Sequence, residues 1–151
     1  MDVHFICRGN VFRSRMAEAY LKSLELDGVT IRSSGTLAAS TQTEEQLIDP
    51  LARNILEREG ILDYASPHWN QLTRQRLEQH KGITILFGSL CVREAVEIGV
   101  IPPGERTWDI TDVSEYENNL GHNLEEADRL AHADLVYKQI VSKIDKLVGE
   151  Q

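Results

Sequence analysis

The first 36 residues constrain the fold most. "DVHFIC" (residues 2–7) sets Val3, Phe5 and Ile6 in a short apolar run that ends in a cysteine. A helical pattern follows from Ser14 to about residue 26, with Met16, Ala17, Ala19, Tyr20, Leu21 and Leu24 on one broad face. "GVTIRSSGT" (28–36) then reads as a second strand running into a polar turn. Strand, loop, helix and strand in such quick succession is a βαβ unit, the building block of a parallel sheet.

The rest of the chain repeats the alternation. Asp49 predicts a helix cap with Pro50 at the first helical position, Leu51, Ile55 and Leu56 give that helix its apolar stripe, and Gly60 stops it. A short helix is expected around residues 74–80, a buried strand at "GITILFG" (82–88) and a helix near residues 90–98. "ERTWDI" (105–110) is a weaker strand. A last helix is expected from about residue 123 to residue 148, with Ala127, Leu130, Ala131, Leu135, Val141, Ile144 and Val148 along one side and Leu147 close by. Its acids cluster early and Lys143 and Lys146 late, which suits the helix dipole. The expectation is a single α/β domain over residues 1–151, a three-layer sandwich with a four-stranded parallel sheet and helices on both faces.

Composition removes several function classes. A formal net charge of -8 argues against nucleic acid or an anionic membrane as partner, since both reward a basic face. No apolar stretch approaches a membrane span, and nothing at the N-terminus resembles a secretory signal, so a cytoplasmic protein is expected. Two cysteines, Cys7 and Cys91, are too few for a zinc site. His4, His68, His80, His122 and His132 show no ligand spacing, so neither metal nor cofactor is expected.

Against this acidic background, "CRGNVFRSR" (7–15) carries Arg8, Arg13 and Arg15 with no acid among them. Open α/β sheets bind ligands beyond the carboxyl ends of their strands, and Cys7 stands at such an end. Five residues separate it from Arg13, enough for a loop to curl around a tetrahedral oxyanion with successive N–H groups turned inward. Gly9 relieves the steric limits on that curl, and Asn10 belongs to the few other residue types that tolerate positive φ. Ser14 is expected to cap the following helix, whose positive end faces the same point. Arg13 would close the ring with a planar, bidentate guanidinium. The same field favours a thiolate at Cys7 and hence attack on phosphorus.

"CRGNVFRSRMAEAY" (7–20) resembles the active-site loop of the low-molecular-weight protein tyrosine phosphatases, whose pattern is close to C-x-G-N-x-C-R-S-P-x-A-E-A. The resemblance extends to "SSGT" (33–36), "DP" (49–50), "GI" (60–61) and "NQLT" (70–73). It implies a phosphatase acting on phosphotyrosine or small aryl phosphates through a phosphocysteine, with inorganic phosphate as product. By that resemblance Cys7 is the nucleophile and Arg13 binds the phosphoryl group. Arg8, Gly9, Asn10, Val11, Phe12 and Ser14 form the phosphate-binding loop, and Ser34 helps hold the asparagine. The family also has a histidine shortly before its "QLT" segment, and His68 stands one residue off that spacing.

The family's general acid is an aspartate followed by proline and an aromatic residue. In "TWDITDVSEYENN" (107–119) Asp112 fits best and Asp109 competes, but Val113 replaces the proline and Tyr116 comes late. Phe12 stands where many members have a second cysteine, and Arg15 replaces their proline. Arg8 and Arg15 are expected either to favour highly charged substrates or to point into solvent. The altered aspartate loop also allows a phosphate- or phosphoprotein-binding module with impaired turnover. The related arsenate reductases share the loop but relay through two additional cysteines, of which only Cys91 is available.

Overall fold

The computed structural model describes residues 1–45 and 47–151. Four parallel strands, β1 (Asp2–Cys7), β2 (Thr30–Gly35), β3 (Ile83–Phe87) and β4 (Glu105–Trp108), form one sheet in the order β2-β1-β3-β4. Around it run α1 (Arg13–Ser23), α2 (Ala38–Thr41), α3 (Pro50–Arg58), α4 (Arg74–Gln79), α5 (Ser89–Ile98), α6 (Val113–Leu120) and α7 (Glu126–Gly149). A 3-10 turn spans Leu62–Tyr64. This is the expected three-layer sandwich.

β1 is central and buried on both faces, which is why it reads as an apolar run rather than an alternation. Val3, Phe5 and Cys7 face one core layer with Ile85, Phe87 and the buried sides of α1, α3 and α7. Ile6 and Leu86 face the other, with Leu77, Cys91 and Ala95 from α4 and α5. Trp108 makes β4 a core strand: its ring packs 6.0 Å from Phe5 and 5.8 Å from Phe87, although the rest of that strand is exposed. Burying side chains of this size stabilises the fold by about 1.5–3 kcal/mol each.

Asp49 caps α3 as expected, its Oδ1 accepting the Leu51 N–H at 2.8 Å with Pro50 at the first position. Ser14 does not cap α1. The helix begins one residue earlier, at Arg13, and Phe12 flanks it without a side-chain cap. The Ser14 hydroxyl is spent on the loop instead, as described below. α6 is an element the sequence reading treated as loop.

The expected apolar side of the last helix is corrected in its first half, while Val141, Ile144 and Val148 do pack on the core. α7 buries Ala133, Val136, Tyr137, Ile140, Ile144 and Leu147, whereas Leu130 and Leu135 stay 44% and 49% exposed. Its contacts with the body of the fold are mainly to α1 and α3. That seat chooses the inward face and admits the apolar body of Tyr137, which a count of aliphatic residues passes over.

Candidate active site

β1 and β3 are neighbours, but the chain leaves β1 toward α1 on one face and β3 toward α5 on the other. Such a reversal opens a crevice beyond the strand ends. A cleft of about 470 Å³ lies there, lined by residues 7–13 on one side and by Leu37, Asp49, Asp112 and Arg129 among others around it. Every residue from Cys7 through Arg13 borders it.

The loop is wound around the sulfur. The Asn10 backbone N–H donates to Cys7 Sγ at 3.2 Å, and the Ser14 hydroxyl lies 2.9 Å from the same atom. Among the described residues, the backbone N–H groups of Gly9, Val11 and Phe12 have no protein acceptor. α1 carries no acid in its first turn, so none of its own side chains opposes the positive helix end. The arrangement suits a tetrahedral oxyanion.

Asn10 supplies the turn. Its φ is 55°, the left-handed region its side chain tolerates. Asn10 Nδ2 donates to Ser14 Oγ at 2.7 Å, and its Oδ1 accepts the Asn70 backbone N–H at 2.7 Å. Gly9 is not needed for a positive φ. A Cβ there would stand 2.7 Å from the flexible end of Gln42. The glycine the loop does require is Gly35, paired with Cys7 in the sheet. A Cβ on Gly35 would lie 2.6 Å from Arg8 O and 2.7 Å from Asn10 N, both rigid backbone.

Arg13 is held by groups at the end of β3, just after β4 and in α6. Its Nη1 donates to Ile110 O at 2.7 Å and Phe87 O at 3.3 Å, and its Nη2 to Glu115 Oε1 at 2.8 Å. Glu115 was not among the sequence candidates. It follows Asp112 by three residues in a D-x-x-E start, a spacing that usually signals a helix cap alone. Asp112 does cap α6, its Oδ1 accepting the Glu115 N–H at 2.8 Å, while its Oδ2 stands 3.5 Å from Arg13 Nη2. Asp112 therefore borders the cleft without the family's proline. Asp109 is exposed and does not line it.

Two carboxyl groups, Asp49 in the cleft lining and Glu115 on Arg13, are pushed toward the protonated form. Burial raises the Asp49 pKa, and nearby Asp112 adds to the shift. Burial likewise raises Glu115, with the pull of Arg13 only partly offsetting it.

Arg8 and Arg15 behave differently: Arg8 borders the cleft while its guanidinium is paired, and Arg15 does not point into solvent. Arg8 folds back onto Glu94 of α5 in a two-oxygen pair at 3.0 and 3.2 Å from its Nε. That pairing raises its pKa, and Thr36 braces the same carboxylate at 2.8 Å. Arg15 is 1% exposed and lies behind the loop, donating to the carbonyls of Asn10 at 3.1 Å, Leu47 at 2.6 Å and Ser66. Three carbonyls from separate segments converge there, and the two Nη atoms of the planar guanidinium reach all of them.

Ser34 does not bond Asn10. Its hydroxyl meets His4 Nε2 at 2.8 Å and Arg76 Nη1 at 3.0 Å. His68 pairs with Glu44 at 3.2 Å and is not part of the cleft lining. Phe12 is buried in the larger core layer beside the loop. Cys91 lies in the opposite layer, bonds Ile6 O at 3.4 Å, and burial pushes its thiol up to about 12.

A cysteine that accepts a backbone amide and a serine hydroxyl just before a helix start, on a doubly wound parallel sheet, is the arrangement of a cysteine-based phosphatase. The low molecular weight phosphotyrosine protein phosphatase family model matches residues 2–150, and the chain belongs to that family of cysteine-dependent phosphatases. Among solved structures, Vibrio vulnificus Wzb in complex with benzylphosphonate superposes with a TM-score of 0.73 at 15% identity, over 99% of this chain and 98% of that one. The YwlE arginine phosphatase from Geobacillus stearothermophilus gives 0.63 at 25% identity, over 99% and 94%. A thioredoxin-dependent arsenate reductase from Corynebacterium glutamicum gives 0.62 at 23%, over 99% of this chain and 63% of that one. No curated protein sequence matches the chain significantly.

Proposed function

We propose that this protein hydrolyses phosphotyrosine and related aryl phosphate monoesters through a phosphocysteine on Cys7. The observation that carries the reading is the Cys7 sulfur at the cleft floor, with the Asn10 N–H at 3.2 Å and the Ser14 hydroxyl at 2.9 Å. Both groups stabilise a thiolate as nucleophile and again as leaving group. In the first step the sulfur attacks phosphorus in line, the S–P bond forms as the P–O bond breaks, and Asp112 protonates the departing oxygen. The loop amides and Arg13 hold the phosphoryl oxygens as charge moves onto them. In the second step the Asp112 carboxylate takes a proton from water, the water oxygen attacks phosphorus, and the S–P bond breaks to release inorganic phosphate.

p-Nitrophenyl phosphate tests this directly. Wild type should turn it over and Cys7→Ser should not, while rapid quenching with labelled substrate should trap phosphate on the wild-type chain. Equal rates in both proteins would sink the reading.

One observation favours a second substrate, phosphoarginine. Among the described residues lining the cleft, Phe12 in the loop is the sole aromatic, and the walls carry the carboxylates of Asp49 and Asp112. Carboxylates suit a cationic leaving group, and a YwlE arginine phosphatase is among the structural relatives. Parallel assays of a phosphotyrosine peptide and a phosphoarginine peptide decide between them. An arsenate relay is not supported, because Cys91 is buried with its thiol pushed up to about 12. The reaction needs no compartment other than the cytoplasm, where a free thiol persists.

A further inference from the structure

We propose that Glu115 is a positioning residue for Arg13. Its carboxylate takes one end of the guanidinium so that the Nε–Nη2 edge is kept for the phosphoryl group, and it ties the Asp112 turn to the phosphate loop. This rests on the phosphatase reading above.

A guanidinium has five N–H donors. Nη1 is committed to Ile110 O at 2.7 Å, Phe87 O at 3.3 Å and Glu115 Oε2 at 3.4 Å. Nη2 gives one hydrogen to Glu115 Oε1 at 2.8 Å. Nε is buried and has no partner, in a residue 1% exposed. Two donors are left, the Nε–H and the second Nη2–H. They project side by side from one edge of the planar group, the spacing that meets two oxygens of a phosphoryl. Arg13 borders the cleft, so its unspent edge belongs to the oxyanion site.

Glu115 also settles a competition. Asp112 Oδ2 stands 3.5 Å from Arg13 Nη2 and is the other carboxylate within reach. With Glu115 in place, Asp112 keeps Oδ1 on the Glu115 N–H and leaves Oδ2 for proton transfer. Without it, Arg13 and Asp112 would be drawn to each other, which turns the clamp and occupies the acid. In most D-x-x-E helix starts the glutamate reaches back to its own cap. Here the Glu115 side chain reaches instead to a residue 102 positions away.

The test combines calorimetric titration of inorganic phosphate with p-nitrophenyl phosphate kinetics. The proteins are wild type, Glu115→Ala, Glu115→Gln, Arg13→Lys and the Arg13→Lys/Glu115→Ala double variant, with melting temperatures recorded. Glu115→Ala should weaken phosphate binding about tenfold or more, with Glu115→Gln intermediate, because the oriented charge-assisted pair is lost. Its kcat should fall more than its KM rises. In the Arg13→Lys background the Ala substitution should change phosphate binding by less than about twofold, the non-additivity expected of two residues acting as a unit. Unchanged or tighter phosphate binding by Glu115→Ala would overturn the proposal, the tighter case meaning that Glu115 competes with the anion. An equal loss in both Arg13 backgrounds would overturn it too, by making Glu115 a general support of the fold. If Glu115→Ala melts early, Glu115→Gln is read by the same criteria. A wild type that binds phosphate without turnover refutes the phosphatase reading, and the phosphate affinities still decide the role of Glu115.

Discussion

The Asn70 backbone N–H donates to Asn10 Oδ1 at 2.7 Å, joining the phosphate loop to a segment 60 residues later in the chain. The bond orients the side chain of the one loop residue with a left-handed backbone, φ 55°. Asn10→Ala should therefore lose about 1–2 kcal/mol to backbone strain. It should lose about 1–3 kcal/mol more from the unpaired Asn70 N–H. Asn10→Gly should recover the strain but not the hydrogen bond. Denaturant unfolding of the three proteins separates the two contributions.

Gly35 sets the distance between β2 and the loop. An added Cβ would meet three backbone atoms at 2.6 to 2.8 Å, none of them a flexible side-chain end. Gly35→Ala should cost about 1–3 kcal/mol, as overpacking does. It should also push the Asn10 N–H off the Cys7 sulfur, so turnover of p-nitrophenyl phosphate should fall by more than the stability loss explains. Activity at wild-type level in a folded variant would refute the assignment.

Asp112 and Asp109 lie three residues apart, and the first borders the cleft. Asp112→Asn keeps an acceptable helix cap, so its melting temperature should stay close to wild type. Its kcat on alkyl-like, poorly leaving substrates should drop about 10²–10⁴-fold, the usual contribution of a positioned acid. Asp109→Asn, at an exposed site, should stay within about twofold. The reverse pattern in steady-state assays would move the acid to Asp109.

His4 makes stability depend on pH. It is fully buried, bonded to Ser34 and 5.4 Å from the His80 ring, and burial lowers its pKa to about 3. His80 is lowered as well, mainly by burial. Because the unfolded chain binds a proton near pH 6.5 and the folded chain does not, stability is full above pH 6.5 and is lost as pH falls toward about 3. His4 contributes a slope of up to about 1.4 kcal/mol per pH unit in that window. His4→Gln should flatten the acid limb of a stability profile measured by urea unfolding. An unchanged slope would contradict a neutral, buried His4.

Much of the architecture is legible because its causes are local. The apolar run of β1, the Asp49–Pro50 start of α3 and the alternation of strands with helices each depend on residues within a few positions of one another. Cys7 at a strand end, with Asn10 and Ser14 within seven residues, is legible for the same reason, since loop and helix start are contiguous. The inward face of α7 is not, because α1 and α3 select it from a helix with apolar residues on more than one side.

What the sequence by itself determined was the sheet class, the family and the place of Cys7 at a strand end before a helix, all carried by short-range patterns that physical chemistry reads directly. Only the tertiary structure decided where the arginines spend their donors. Arg8 meets Glu94 across 86 residues, Arg15 fills a pocket of converging carbonyls, and Arg13 meets Glu115 across 102. A guanidinium pairs with whichever acceptors folding brings within about 3 Å, and that depends on how distant segments pack rather than on sequence spacing.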